Sequence, residues 1–212
     1  MRIKTLSATE DLELFRKIAA KYIDVLLPLE YLQRSRVVVC CSKEGKYCGG
    51  YMIVQKGTLR VLDSIPEDKF SEIAVNLENV AEITGLWLDS SKTESCFCST
   101  VFWLKLYLDL AFSKYTGFVY AYTMKKKNLA KTYSTFNPTT LFRGETKQLE
   151  GMDSPEIEVV EYVDKMKVIT APFRHFNFLV RRFNLGTKRA LRRRAHSTCM
   201  AYVFAPLTFF RK

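Results

Sequence analysis

The sequence predicts a domain of the α/β class, taken broadly to include α+β folds. Its sheet should be mixed and mainly antiparallel, with helices on both faces. Three observations predict it. Short apolar runs bounded by turn residues alternate with helical patterns, two such runs flank a Gly-bearing turn, and a long apolar helix separates two further strands. With 212 residues, the chain is long enough to bury a core without disulfides or metal.

The first element is predicted to be a helix that begins at a capping box. Residues 7–10 read Ser-Ala-Thr-Glu, which places Ser7 at the N-cap. Leu12, Phe15, Ala19 and Tyr22 then recur at helical spacing, so one face of this helix should pack on the sheet.

A β-hairpin is predicted next. Residues 36–43 and 47–57 are strand-like runs on either side of a turn that contains Gly45. Gly49 and Gly50 inside the second strand indicate a bulge or a close approach of another part of the chain. A short helix is predicted between residues 66 and 77, because its apolar residues share one face.

A strand–helix–strand unit follows. Residues 80–90 form the first strand, and a second capping box at residues 91–94 opens a long helix that runs to about Phe112. This helix is apolar on most faces, which is typical of a helix packed on both sides. The short connection to the next strand, which starts at Gly117, predicts a right-handed crossover and parallel pairing.

The predicted core domain ends with three smaller elements, and a basic extension follows it. A short helix over residues 127–136 leads to strands over residues 139–145 and 157–169. Pro172 is predicted to begin a helical, basic tail. We therefore predict a domain over residues 1–170 and a separate basic extension over residues 171–212.

The cysteines and the hydropathy pattern indicate an intracellular protein. The first 15 residues are polar and amphipathic, which excludes a secretory signal, so the six cysteines are expected to be reduced. They form no metal-ligand pattern, and we expect no metal. No apolar run reaches about 18 residues, so no membrane span is expected. The predicted location is cytoplasmic, with peripheral membrane contact through the tail as one alternative.

The order of elements resembles the GCN5-related N-acetyltransferase (GNAT) family over about residues 5–145. Residues 81–112 are similar to the family's strand, phosphate loop and long helix. Residues 117–142 resemble its N-x-x-A-x-x-x-Y-x-x-x-G-F signature at shorter spacings, offering Asn128 and Tyr133. The stretch VAEITGLWL resembles the E-x-x-R-L-x-V strand of the long-chain N-acyl amino acid synthases and homoserine-lactone synthases, with Gly85 where that pattern has Arg.

The resemblance implies an acyltransferase that moves an acyl group from acetyl-CoA or another acyl thioester, on coenzyme A or acyl carrier protein, to an amine. Tyr133 stands at the family's general-acid position. Lys92 occupies the position of the phosphate-loop Arg. Ser95 occupies the position of the loop's first Gly, and Phe97 that of its last residue. The implied cofactor contacts are Leu86, Trp87, Leu88, Lys92, Ser95, Cys96, Phe97 and Asn128.

Glu82 is the candidate general base, because an amine must lose its proton before it attacks a thioester. It lies in an otherwise apolar strand, where burial would raise the pKa of its carboxyl toward a useful range. Alternatives remain for each residue: Glu82 could face water, Tyr133 could pack on the sheet, and Asn128 could cap its helix. The missing loop glycines favour a second function, a GNAT-like binding module without a cofactor.

The tail carries nearly all of the net charge of +11, since residues 171–212 contain ten Lys or Arg and no acid. Phenylalanines and leucines alternate with these basic residues. Three partners remain open: an acidic protein such as acyl carrier protein, an anionic membrane, and, less favoured, nucleic acid. The predicted partner-binding residues are Arg181, Arg182, Lys188, Arg189, Arg192, Arg193 and Arg194.

Overall fold

In the computed structural model, the described residues are 2–89 and 96–177, without the side chains of residues 96–99 and 128. Their strands form one sheet in the order β1-β2-β3-β4-β5-β7-β6. The strands are β1 (Arg2–Leu6), β2 (Ser35–Cys41), β3 (Tyr47–Val54), β4 (Val80–Leu88), β5 (Gly117–Thr123), β6 (Thr139–Glu145) and β7 (Ile157–Asp164). Neighbouring strands are antiparallel except β4 and β5, which are parallel. The predicted mixed, mainly antiparallel sheet is confirmed.

Helices cover both faces of this sheet, as predicted. They are α1 (Thr9–Ile23), α2 (Leu29–Gln33), α3 (Arg60–Asp63), α4 (Glu67–Phe70), α5 (Cys96–Ala111), α6 (Lys127–Tyr133) and α7 (Lys165–Arg174), with a 3-10 turn at Ser134–Phe136. One core lies between the sheet and α1, with Phe15 at its centre. A second core lies under α5 and α7, with Phe102 and Val168 fully buried. A smaller cluster joins α3 to β5 and β7.

The N-terminus differs from the prediction. Residues Arg2–Leu6 form the edge strand β1, which pairs with β2 and was not predicted. This pairing keeps the chain extended through Leu6, and α1 begins one residue later than the capping box requires. Its N-cap is Ala8, which makes no side-chain cap hydrogen bond, so the predicted Ser7 cap is wrong.

The end of the described chain also differs. The strand β7 stops at Asp164, whose side chain accepts a hydrogen bond from the Met166 N–H at 2.7 Å and so caps a helix. The helix α7 therefore begins at Lys165 rather than at Pro172, which lies inside it. Ala171 is fully buried, and the proposed domain division after residue 170 falls within this helix.

The hairpin of β2 and β3 is confirmed, and its glycines make close contacts. A Cβ on Gly50 would lie 2.6 Å from Cε2 of Phe15, so only glycine allows α1 to pack this closely. The helix predicted over residues 66–77 is limited to the four residues of α4. None of the helices in the described ranges is long and apolar enough to span a membrane.

Candidate active site

The sheet opens between its two parallel strands. Pairing of β4 with β5 is limited to Val80–Glu82 against residues 117–119. Beyond that point β4 continues beside β3, and β5 continues beside β7, so the two strands diverge. The gap holds a cavity of about 120 Å³, which we call the splay cavity. Its walls come from both strands and from segments far apart in the sequence.

A bulge at Gly85 shapes the β4 side of this cavity. The residue has φ of 60°, in the left-handed region, and the β3–β4 register shifts between Gly50 and Met52. A Cβ on Gly85 would lie 3.2 Å from Sδ of Met52. This geometry explains why Gly stands where the similar strand pattern has Arg. It also reverses the side-chain alternation, so Ile83 faces the α5 core and Trp87 faces the α1 core.

Glu82 is placed at the inner end of the splay cavity. Its side chain is 1% exposed, and its Oε2 accepts a hydrogen bond from the Val61 N–H at 3.0 Å. Burial raises the pKa of this carboxyl to about 7, although hydrogen bonds from Tyr31 and Val61 act in the opposite direction. A carboxyl with this pKa can take up and release a proton near neutral pH.

Two residues around Glu82 were missed by the sequence analysis. Tyr31, from α2, is buried and lies close enough to the Glu82 carboxyl to lower its pKa, and the Tyr31 hydroxyl accepts from the Arg60 N–H at 3.4 Å. The charge of Arg60 also lowers the pKa of Glu82. No local pattern marks either residue, because they reach β4 from α2 and from the start of α3.

Tyr133 lies on the other side of the same cavity, at the end of α6. It is 4% exposed, and its ring stacks on Tyr120 with centroids 4.0 Å apart. Burial raises the pKa of its hydroxyl well above the usual tyrosine value, and the nearby charge of Glu161 adds to the effect. The hydroxyl therefore stays protonated at neutral pH and can act only as a proton donor there.

Charged residues line the outer part of the splay cavity. They are Arg60, Lys126, Glu156 and Glu158. The pKa of the Glu158 carboxyl is raised by burial and by the charge of Glu156, while Lys126 opposes that shift. The Lys126 ammonium donates to the Tyr22 carbonyl at 3.1 Å. A molecule that enters here meets two carboxylates on the way to Glu82.

A second, apolar cavity lies on the opposite face of the sheet, between α5, α6 and α7. We call it the apolar cleft. It has a volume of about 400 Å³, and aromatic and aliphatic side chains make up nearly all of its walls. Ile83 and Tyr133 line both this cleft and the splay cavity. The two spaces therefore meet at these residues, where the sheet is open.

The remaining predicted contacts are distributed unevenly. Leu86 lines the splay cavity, whereas Trp87 is buried and stacks on Tyr22 at 4.6 Å, and Leu88 packs in the α5 core. Cys96 and Phe97 lie in the first turn of α5 and Asn128 lies in α6, but their side chains are not among those described. Lys92, Ser95 and the second capping box lie outside the described residues, as do Arg181 and the other predicted tail contacts.

Many solved structures are similar to this one. FeeM, an N-acyl amino acid synthase from uncultured soil microbes, matches with a TM-score of 0.60 and 12% sequence identity over 80% of this chain and 93% of that chain. The AHL synthase LasI matches with a TM-score of 0.56 and 14% identity over 80% of this chain and 92% of that one.

A third is a mutant form of the spermidine/spermine N-acetyltransferase SpeG from Vibrio cholerae, with a TM-score of 0.51 and 9% identity over 80% of this chain and 96% of that chain. No protein-family model and no curated protein matches the sequence. At these identities the likeness is one of fold.

Proposed function

Because the chain has a GNAT-like fold, we propose that it is an N-acyltransferase that moves an acyl group from a thioester to an amine. One observation carries the proposal. The splay between β4 and β5 brings a buried carboxyl, Glu82, and a buried phenol, Tyr133, to one cavity from which both can exchange protons. The donor is a thioester on coenzyme A or on acyl carrier protein, and the acceptor is an amine.

The splay suits the arm of a thioester donor. Beyond Glu82 and Val119, each strand keeps a partner on its outer side only, so the edges that face each other make no ladder hydrogen bonds between them. An extended chain with amide groups can pair with such an edge. The arm would then present its thioester carbonyl near Glu82, while Lys92 and Ser95 remain the proposed phosphate contacts.

The chemistry needs one base and one acid. The carboxylate of Glu82 takes a proton from the acceptor ammonium, and the freed amine attacks the thioester carbonyl to form a C–N bond. The C–S bond then breaks, Tyr133 gives its hydroxyl proton to the departing thiolate, and the second proton lost by the attacking nitrogen returns to the Tyr133 phenolate. A pKa of about 7 leaves about half of Glu82 ionised at neutral pH, and the raised pKa of Tyr133 keeps its hydroxyl protonated there while making it a weaker acid.

The apolar cleft supplies space for the acyl chain of the donor. It begins at Ile83 and Tyr133, where the thioester carbon would lie, and extends under α5 and α7. Each methylene moved from water into such a cleft contributes about 0.8 kcal/mol, which corresponds to about fourfold in affinity. Donors with longer chains should therefore bind progressively more tightly until the cleft is filled.

Calorimetry with acyl-CoAs and acyl carrier proteins of increasing chain length, combined with turnover of Glu82→Gln, tests this function. The Gln oxygen can still accept the Val61 N–H, so the variant should fold and bind donor normally while turnover falls at least about 100-fold. Tyr133→Phe should lower turnover less if water can protonate the thiolate. The exposed Glu78, in the turn just before the same strand, provides the control Glu78→Gln, which should keep full activity.

Failure to bind any thioester at millimolar concentration would overturn the enzymatic proposal and leave a binding module. Unchanged turnover of Glu82→Gln with normal donor binding would remove Glu82 from the mechanism. Loss of folding in that variant would instead assign Glu82 a structural role that needs its carboxyl group.

A further inference from the structure

The helix α5 exposes leucines where a surface helix normally exposes polar residues. Among its described side chains, those exposed to solvent are Leu104 and Leu108, at 52% and 37%. Phe112 follows one turn later and is 84% exposed. The charged residues of this stretch, Lys105 and Asp109, lie to the side and contact each other. Packing of α5 on the sheet does not explain this exposed row, because the residues that α5 packs on the sheet are Phe102, Leu106 and Leu110.

The neighbouring helix α7 extends this apolar surface. Its exposed residues include Met166 and Phe173, and Phe176 follows just after the helix, at 65%. The two helices are held side by side, because the Tyr107 hydroxyl donates to the Ile169 carbonyl at 3.0 Å. Leu104, Phe173 and Phe176 also border the mouth of the apolar cleft. We call the combined surface the α5–α7 patch; it consists of Leu104, Leu108, Phe112, Met166, Phe173 and Phe176.

The accessible charge around the α5–α7 patch is positive. The basic residues of α7 and of the turn after α5 are Lys114, Lys165, Lys167 and Arg174, whereas Lys105 of α5 pairs with Asp109. The acids of these elements are engaged. Asp109 has a side chain only 7% exposed and lies 2.9 Å from Arg36, and Asp164 caps α7. The sequence that continues from α7 adds further basic residues and no acid through Lys212.

This combination favours one occupant. A second copy of the chain would bring two positive surfaces together, and nucleic acid binding would leave the exposed phenylalanines unused. The exposed row on α5, from Leu104 to Phe112, is roughly 12 Å long at the helical rise per residue, and its first residue, Leu104, borders the mouth of the apolar cleft. A bilayer with anionic lipids presents a flat, negatively charged surface above an apolar interior, and it satisfies both features.

We infer that the α5–α7 patch docks the protein on an anionic membrane surface, with Phe112, Phe173 and Phe176 inserted below the lipid headgroups and Lys114 and Arg174 at their level. The patch lies on structured helices, so this contact is distinct from any made by the basic sequence after residue 177. The inference does not depend on acyl transfer. It does place the mouth of the apolar cleft against the lipid.

Co-sedimentation of the full chain with lipid vesicles tests the inference. Vesicles of phosphatidylcholine with phosphatidylglycerol should bind the protein, and vesicles of phosphatidylcholine alone should bind it weakly. Phe112→Ala and Phe173→Ala should each lower the partition coefficient about tenfold, because each removes an inserted aromatic side chain. Both side chains are more than four-fifths exposed, at 84% and 83%, so neither substitution disturbs the core. The matched control is Phe70→Ala, on α4 outside the patch, which should bind as the wild type does.

The salt dependence separates the two contributions to binding. Raising the salt concentration should weaken binding through the basic residues but leave a part that depends on Phe112 and Phe173. No binding to anionic vesicles would overturn the inference. Equal binding by the wild type and by the Phe112→Ala/Phe173→Ala double variant would overturn it as well, because the basic sequence would then suffice. Self-association that the double variant loses would assign the patch to a second copy instead.

Discussion

The two helical faces of the sheet are built in opposite ways. On the first face, α1 buries Leu12 and Phe15 and exposes mainly charged residues such as Lys17 and Lys21. Its packing is so close that Gly50 of β3 cannot carry a side chain. On the second face, α5 buries one side, exposes leucines on the other, and leaves a cleft of about 400 Å³ between itself and α7.

The difference shows that apolar side chains on the α1 face stabilise the fold, whereas several on the α5–α7 face remain exposed and can contact a partner. Side chains of the α1 face interlock with the sheet, as Tyr22 does when it stacks on Trp87. The α5–α7 face leaves Phe112 and Phe173 exposed, so these side chains add little to the stability of the fold. The splay lies between the two faces and gives each of them access to Glu82 or Tyr133.

The largest expected effect comes from making the same substitution on both faces. Leu12→Ala, on α1, removes a side chain that is 3% exposed and should lower the free energy of unfolding by about 4 kcal/mol. Leu104→Ala, on α5, removes one that is 52% exposed and should lower it by less than about 0.5 kcal/mol. Urea unfolding measures both. A similar loss in the two variants would break the comparison, since it would mean that the α5 row is covered in solution.

A smaller effect is expected from Glu82 and depends on pH. Because the folded state raises the pKa of this carboxyl from 4.5 to about 7, the folded state binds the proton more tightly than the unfolded state. The stabilisation is complete below pH 4.5 and is lost as pH rises to about 7, by about 2–3 kcal/mol. Urea unfolding across this range should show the loss in the wild type. Its persistence in Glu82→Gln would assign it to another group.

The smallest effect should come from Tyr31. Its hydroxyl stabilises the ionised form of Glu82, so Tyr31→Phe should raise the pKa of Glu82 further, by about one unit. Carbon-13 NMR of the glutamate carboxyl groups measures this titration without any substrate, and Glu82→Gln identifies the signal. Tyr47→Phe, which removes a hydroxyl bonded to Asp11 instead, is the control. An unchanged Glu82 titration in Tyr31→Phe would show that the Tyr31 hydroxyl does not contribute to its pKa.

Much of the fold could be predicted from local patterns. The hairpin, the parallel pair around a long helix and the order of the later strands follow from apolar periodicity and turn residues, which act over a few residues. One error arose where distant pairing decided the outcome, and another where a local helix cap did. The edge strand β1 exists because β2 offers it a partner, and α7 begins at Lys165 because Asp164 can cap it there.

The sequence by itself determined the composition of the candidate site: an acid in an apolar strand at Glu82, a tyrosine at Tyr133, and a glycine at position 85. Only the tertiary structure decided how these residues act together. The divergence of β4 from β5 opens the cavity, and Tyr31 and Val61 reach Glu82 from other elements. The pKa of a buried carboxyl depends on solvent exclusion and on the charges around it. Those are properties of packing, which no local stretch of sequence contains.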